Sequence, residues 1–205
     1  MKKIAFLILL AFFFSCKKEN KKTAEPTEIQ KENTNILYDS KAMAPYLKFD
    51  NELIEYNIIG LKDAHKFTAE ETEFPVKEND FDSEKSDAFD YYVVHSFDIE
   101  AINYKVLAYN TYGENDGKVL NVQLNSYSGG VQKDALLLDC RFTFETEYYR
   151  NFTILSDKTV AIKKIAVESL EFNDNGDIIG NKKVNDTLTE VVKYKIDPQG
   201  QFIKL

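Results

Sequence analysis

The chain has 205 residues, a formal net charge of −8, two cysteines and two histidines. That length suits one domain, or one domain plus a small subdomain. The acidic balance argues against nucleic acid as a partner of the folded part, and two histidines argue against a multi-histidine zinc site.

The first sixteen residues carry a layout of their own. Lys2 and Lys3 form a short basic start, Ile4 to Phe14 is an unbroken apolar run, and Ser15 and Cys16 close it. A spanning helix needs about 20 apolar residues, so this run is too short to cross a bilayer and stay there. A basic start, an apolar stretch and a small residue before the cut predict a signal peptide over 1–15. The sequence Phe13-Phe14-Ser15-Cys16 resembles the lipobox of bacterial lipoproteins, in the serine-before-cysteine form common in Bacteroidota. The resemblance is confined to the signal segment, this cysteine and the stretch behind it, and it implies no activity. It does imply that Cys16 carries a covalent lipid and that the membrane is a partner through that anchor. The implied location is the bacterial cell envelope, at the outer membrane, with the periplasmic and surface faces both open. At about 0.8 kcal/mol per buried methylene, two or three acyl chains hold where one holds only marginally.

Residues 17–35 are polar, charged and almost free of large apolar side chains. They cannot bury enough surface to offset their ordering entropy, which predicts a disordered tether over 16–36. From 37 to 205 the composition predicts one β-rich domain, less regular over 37–90 and with the main antiparallel sheet over 91–205. Ser40 to Met43 predicts a helical turn limited by Pro45, and the β-prone stretch 53–61 ends near Gly60. Between Glu70 and Asp90 stand nine acidic residues against two lysines, with Pro75 inside. Mutual repulsion predicts a long solvated loop there, or a linker between an N-terminal portion and the main sheet.

Strands are expected at 91–99, 102–112, 119–127, 135–145, 148–155, 159–172, 190–196 and 202–205. Leu120, Val122 and Leu124 alternate with Asn121, Gln123 and Asn125, the pattern of a sheet with one wet face. The connectors at 113–117, 173–176 and 197–200 hold the Asn, Asp, Gly and Pro of hairpin turns. The last two of these read alike. Successive strands joined by short turns make an all-β fold, an antiparallel meander closing into a barrel or a sandwich.

No nucleophile elbow, P-loop, zinc-protease helix or dinucleotide fingerprint occurs in the sequence. On strict alternation Cys140 shares a face with Leu136, Leu138 and Phe142, and His95 shares one with Tyr91, Val93, Phe97 and Ile99. Both therefore point inward, where a Cys–His pair is conceivable and a buried inert thiol beside a hydrogen-bonded histidine is the plainer outcome. The run Asn173-Asp174-Asn175-Gly176-Asp177 resembles a calcium loop only in part, and a hairpin turn explains it better. Twelve tyrosines and no tryptophan suit strand packing as well as a sugar platform. Asp186-Thr187-Leu188 matches a three-residue glycosylation pattern of Bacteroidota, which has little specificity. The sequence thus predicts a non-enzymatic binding or structural β domain with no cofactor beyond its lipid, taking a protein or a small ligand. The alternative is an envelope hydrolase whose carboxylates converge in the fold, recognisable by a pocket holding two facing carboxylates.

Overall fold

The computed structural model describes residues 35–113 and 117–205. The signal segment, Cys16 and most of the expected tether lie outside the described residues. Order begins slightly earlier than expected, because β1 (Ile36–Asp39) already pairs with a later strand and Asn35 N–H donates to Ser156 Oγ at 3.0 Å. The predicted turn is α1 (Ser40–Met43), capped by the Asp39 carboxylate on Ala42 N–H at 2.9 Å. A hairpin of β2 (Leu47–Asp50) and β3 (Glu55–Ile58) follows, then β4 (His65–Lys66) and α2 (Ala69–Glu73). Thr68 and Glu71 close a reciprocal capping box on α2, using one acid of the acidic run to satisfy a backbone donor.

The main sheet runs through β5 (Asp90–Ile99), β6 (Ile102–Tyr112), β7 (Lys118–Ser128), β8 (Val131–Thr143), β9 (Thr146–Leu155), β10 (Thr159–Phe172), β11 (Ile178–Ile196) and β12 (Phe202–Lys204). Strands from β4 to β12 neighbour one another in sequence order, so the fold is an antiparallel meander. Among the described residues its two end strands do not pair, so the sheet is folded over as a sandwich and is not a closed barrel. The fold lies at β8–β9, which share only the pairs Phe142–Tyr148 and Thr143–Glu147 before β9 swings away. β1 then takes the freed edge of β9. The far end of the meander returns onto β6–β8: Ser126 Oγ donates to Gly200 O at 2.6 Å, and Phe202 N–H donates to Asp134 Oδ2 at 2.7 Å.

The layer so enclosed holds the aliphatic core. Val106, Val122, Leu124, Leu136 and Leu138 from one half meet Phe152, Ile154, Val160, Ile162, Val192, Tyr194 and Phe202 from the other. Each such side chain contributes about 1.5–3 kcal/mol by leaving water. We call this side of β6–β8 the front face.

The back face departs from expectation. Asn121, Gln123 and Asn125 are not wet; they are 0%, 1% and 2% exposed. They form a polar ladder along the strand: Tyr109 Oη donates to Gln123 Oε1 at 2.7 Å, Gln123 Nε2 to Asn125 Oδ1 at 2.6 Å, and Asn125 Nδ2 to Tyr127 Oη at 3.0 Å. Asn121 Nδ2 donates to Thr111 Oγ1 at 2.8 Å. The cover is the acidic run and the residues just before it, with Phe67 packed on Leu107 and Tyr109, Val76 on the cluster of Leu137 and Cys140, and Phe81 on Phe142 and Tyr148. The expected solvated loop is therefore a strap. A few apolar side chains hold it down while its surplus acids face outward. Lys85 fastens it from within, donating to the carbonyls of Glu71 and Phe74, and burial lowers its ammonium pKa to about 8.

Of the last strands, β11 differs most from expectation, starting at Ile178 instead of 190. With the end of β10 it forms a two-stranded ribbon reaching past the core, and its residues from 178 to 191 are almost all exposed. With both faces wet, no apolar alternation is needed, so none marks it in the sequence.

Candidate functional site

Where β9 leaves β8, the gap is filled by charge. The row Phe152–Ile154 of β9 continues into Arg150, and the row Val160–Ile162 of β10 continues into Lys164; Arg150 is 0% exposed and Lys164 8%. The strap supplies the counter-ions. Lys77 lies alongside Leu136, its N–H donating to Ala135 O at 3.0 Å and its C=O accepting from Leu137 N–H at 2.9 Å. That pairing aims Glu78 and Asp80 into the seam. Glu78 Oε2 lies 2.6 Å from Lys164 Nζ, its other oxygen 2.8 Å from Lys204 Nζ, and Tyr194 Oη donates to it as well. Asp80 Oδ2 lies 2.5 Å from Lys164 Nζ and 3.1 Å from Arg150 Nη2. The remaining Arg150 donors reach Tyr148 Oη and Leu137 O, both at 3.1 Å. On the same stretch, Lys77 Nζ bridges Asp134 and the Phe202 carbonyl.

Burial alone would raise the Glu78 carboxyl, but hydrogen bonds from Lys164, Lys204 and Tyr194 outweigh it and hold the pKa at about 2. Burial pulls Lys164 down, and its bonds to Asp80 and Glu78 more than restore it, leaving it above its ordinary value. Burial and the Glu78 carboxylate both push the Tyr194 phenol up. The two carboxylates do converge, as the hydrolase alternative requires. They converge on cations, however, and Glu78 stays ionised where a general acid would need its proton.

Beyond the seam the same sheet face opens to solvent. Phe81 from the strap, Phe142 and Phe144 from β8 and its turn, and Tyr148 from β9 stand ring against ring, with centroids 4.7–5.4 Å apart. With Ala166, Thr146 and Glu145 they line a cleft of about 670 Å³. A second hollow of about 280 Å³ shares Phe81, Tyr148 and Ala166 with it and adds Asp80, Lys164, Leu188 and Glu190. Phe81 and Phe144 are 46% and 47% exposed, an unusual state for neighbouring phenylalanines. Glu190 lies 3.8 Å from Lys164, which Glu78 and Asp80 hold more closely, so the charge of the cleft that meets no cation among the described residues is that of Glu145, and it is negative.

No family model, curated protein or solved structure matches the chain. The functional reading therefore rests on this geometry.

His95 and Cys140 are not brought together, and two β-bulges are the reason. At Val94 the register against β6 shifts, so Tyr91 and Val93 lie on the back face while His95 and Phe97 lie on the front. The His95 ring stacks on Tyr38 with centroids 4.7 Å apart. In β8 the register shifts at Leu138, so Leu138 and Asp139 both oppose Val122 and Cys140 moves to the back face opposite Asn121. The sheet separates the histidine from the thiol. Cys140 is buried with Val119, Leu137 and Tyr148, and that burial pushes its pKa up to about 12, which makes it an inert thiol.

The stretch 173–177 is a turn. Asn173 Oδ1 accepts from Asn175 N–H and Asp177 N–H, both at 2.9 Å, and Gly176 sits at φ +87. Among the described residues no group of three or more His, Cys, Asp or Glu is arranged to hold a metal ion. Sequence reasoning missed Arg150, Lys164, Glu78, Asp80 and the phenylalanine cleft. The available signal was a charge ending each of two apolar rows, since a buried cation demands a counter-ion from elsewhere in the chain.

Proposed function

We propose that this chain is a lipid-anchored protein of the bacterial cell envelope, held through Cys16, whose β sandwich is a non-enzymatic binding module. The observation that carries the binding reading is the open cleft of Phe81, Phe142, Phe144 and Tyr148 beside a saturated ion cluster. Exposed aromatic rings on a rigid sheet supply contact area at low entropic cost, and the cluster fixes the strap that contributes Phe81. The negative rim selects ligands that join a flat apolar part to a cation.

Tryptamine and indole-3-propionate, which share a ring and differ in charge, test the cleft. The chain has no tryptophan, so indole fluorescence reports on the probe alone. Tryptamine is expected to bind and indole-3-propionate to bind at least about tenfold more weakly. Phe144→Ala, at an exposed position, should remove most of the tryptamine binding. Equal affinity for the two probes, or an unaffected Phe144→Ala variant, would refute the cleft. For the anchor, Cys16→Ala is expected to move the protein from the membrane to the soluble fraction, and full membrane retention of that variant would overturn lipidation.

A further inference from the structure

The strand bordering the cleft has an unpaired edge. β12 pairs with β11 only at Tyr194, Lys195 and Ile196, and Leu205 N–H adds one bond to Lys193 O at 2.9 Å. That last bond fixes the polarity of the edge, since it turns the Lys193 carbonyl away from β10. Backbone groups alternate along a strand, so Val191, Thr189 and Thr187 also aim N–H and C=O outward. Among the described residues nothing pairs with them.

The two parts of this edge are not alike. Exposed edges are ordinarily protected by bulges and lysines. The distal part of β11 has both: the pair Glu168–Asp186 is followed by Leu170–Asn181, so four residues including Lys182 and Lys183 bulge out. From 186 to 193 the register with β10 is unbroken, and this stretch holds no proline and one lysine, at its end. Its inward row is Asp186, which Lys182 holds at 2.8 Å, then Leu188 and Glu190, and the last two line the smaller hollow that adjoins the cleft.

We infer that residues 186–193 accept an extended peptide strand, with basic and apolar side chains alternating on its inward face, added to the edge of β11. The inference rests on the cleft being the binding site and gives its ligand class. Backbone bonds at Thr187, Thr189 and Val191 supply affinity, and the inward side chains supply selectivity. A central apolar residue lies against Leu188 toward the phenylalanines. A basic residue meets Glu190, whose nearest cation is Lys164 at 3.8 Å, itself held more closely by two other acids. A second copy of the chain fits poorly. Antiparallel two-fold pairing centred on Leu188 or Glu190 sets Glu190 opposite Asp186 or itself, and facing like charges destabilise a strand pair; centred on Thr189 it sets Glu190 against Leu188, a carboxylate against an apolar side chain.

The test uses the full chain in neutral detergent and the end-blocked, fluorescein-labelled heptapeptide Thr-Lys-Val-Leu-Val-Lys-Thr, read by anisotropy. Binding is expected, with at least about tenfold loss when both lysines are replaced by glutamate or when alternate backbone amides are N-methylated. Thr189→Pro removes one outward N–H without touching the ladder to β10, and should weaken the peptide about tenfold while leaving the melting temperature unchanged. Glu190→Lys should reverse the preference between the lysine and glutamate peptides. Peptide binding that ignores Thr189→Pro and N-methylation overturns the edge, as does a dimer abolished by Thr189→Pro. If tryptamine binds and the heptapeptide does not, the edge fails and the cleft stands. If neither binds, both readings fail.

Discussion

The front face of β6–β8 and the seam beside β8 both bury side chains, and opposite chemistries fill them, with Asp80 and Lys204 reaching solvent at the rim of the seam. On the front face Val122, Leu124, Leu136 and Leu138 meet aliphatic and aromatic rows of the facing strands. In the seam Arg150 and Lys164 meet Glu78 and Asp80, delivered by a strap remote in sequence. Apolar packing needs only approximate shape and no particular partner, so many sequences fill a face of this kind. A buried cation needs an anion at the right distance with its other donors satisfied, so the seam specifies one path for the strap. The strap in turn carries Phe81 to the cleft. The ionic cluster therefore positions an aromatic ring, and its own groups are spent on one another.

The strongest way to break this contrast is to remove one charge. Arg150→Ala leaves the Tyr148 hydroxyl and the Leu137 carbonyl without the guanidinium donor and takes one of two cations from Asp80, and should cost about 3–5 kcal/mol in urea unfolding. Leu138→Ala on the front face should cost about 2–5 kcal/mol through its cavity. The signatures differ. Only the arginine variant should release the strap, measured as faster amide exchange at Leu137, which bonds to the Lys77 carbonyl.

Acid separates the regions next. The Glu78 carboxyl is held at about 2 against an ordinary 4.5. A depressed folded-state value means its stabilisation is complete above the unfolded value and fades as pH falls toward the folded one. The seam should thus lose up to about 3 kcal/mol between about pH 4.5 and 2, while the aliphatic core loses nothing. Glu78→Gln should be less stable at neutral pH and should flatten the stability profile over that window. An unchanged slope would mean that Glu78 is not held by its cations.

The polar ladder on the back face gives a smaller effect. Gln123→Ala strands the Tyr109 hydroxyl and the Asn125 carbonyl oxygen in a buried layer, at a cost of about 1–3 kcal/mol. A double variant with Tyr109→Phe should recover part of that loss, because the stranded hydroxyl goes with it.

What the sequence disclosed follows the same division. Strands such as Leu120–Val122–Leu124 were legible because alternation is the direct imprint of one buried face, and the turns because Asn, Asp and Gly are demanded by their backbone geometry. The polar half of that alternation predicts a wet face, since periodicity reports contrast and does not say what covers the polar side. His95 and Cys140 were placed on one face by strict parity, and a single extra residue at Val94 and at Leu138 put them on opposite faces. The strap was hidden because the apolar side chains that hold it, Val76 and Phe81 with Phe67 just before the run, stand among nine acids in no regular period. The seam was hidden because ion pairing across 70 residues or more leaves no local pattern.

The two similar turns allow the finest comparison. In 197–201 the Asp197 Oδ1 accepts from Gln199 N–H at 2.9 Å and Gln201 N–H at 2.8 Å, and in 173–177 Asn173 makes the same two bonds. Their surroundings differ. Gly200 lies against the sandwich, where an added Cβ would sit 2.9 Å from Ile102, whereas nothing lies within 4 Å of the Gly176 position. Asp197→Ala should therefore lower global stability by about 1 kcal/mol, the usual worth of such a turn bond. Asn173→Ala should lower it by less than about 0.5 kcal/mol, because the ribbon tip opens without the core and its bonds are absent from the cooperative unit. Equal losses in the two variants would show that the ribbon unfolds together with the sandwich. The edge of β11 would then be as rigid as the core beneath it.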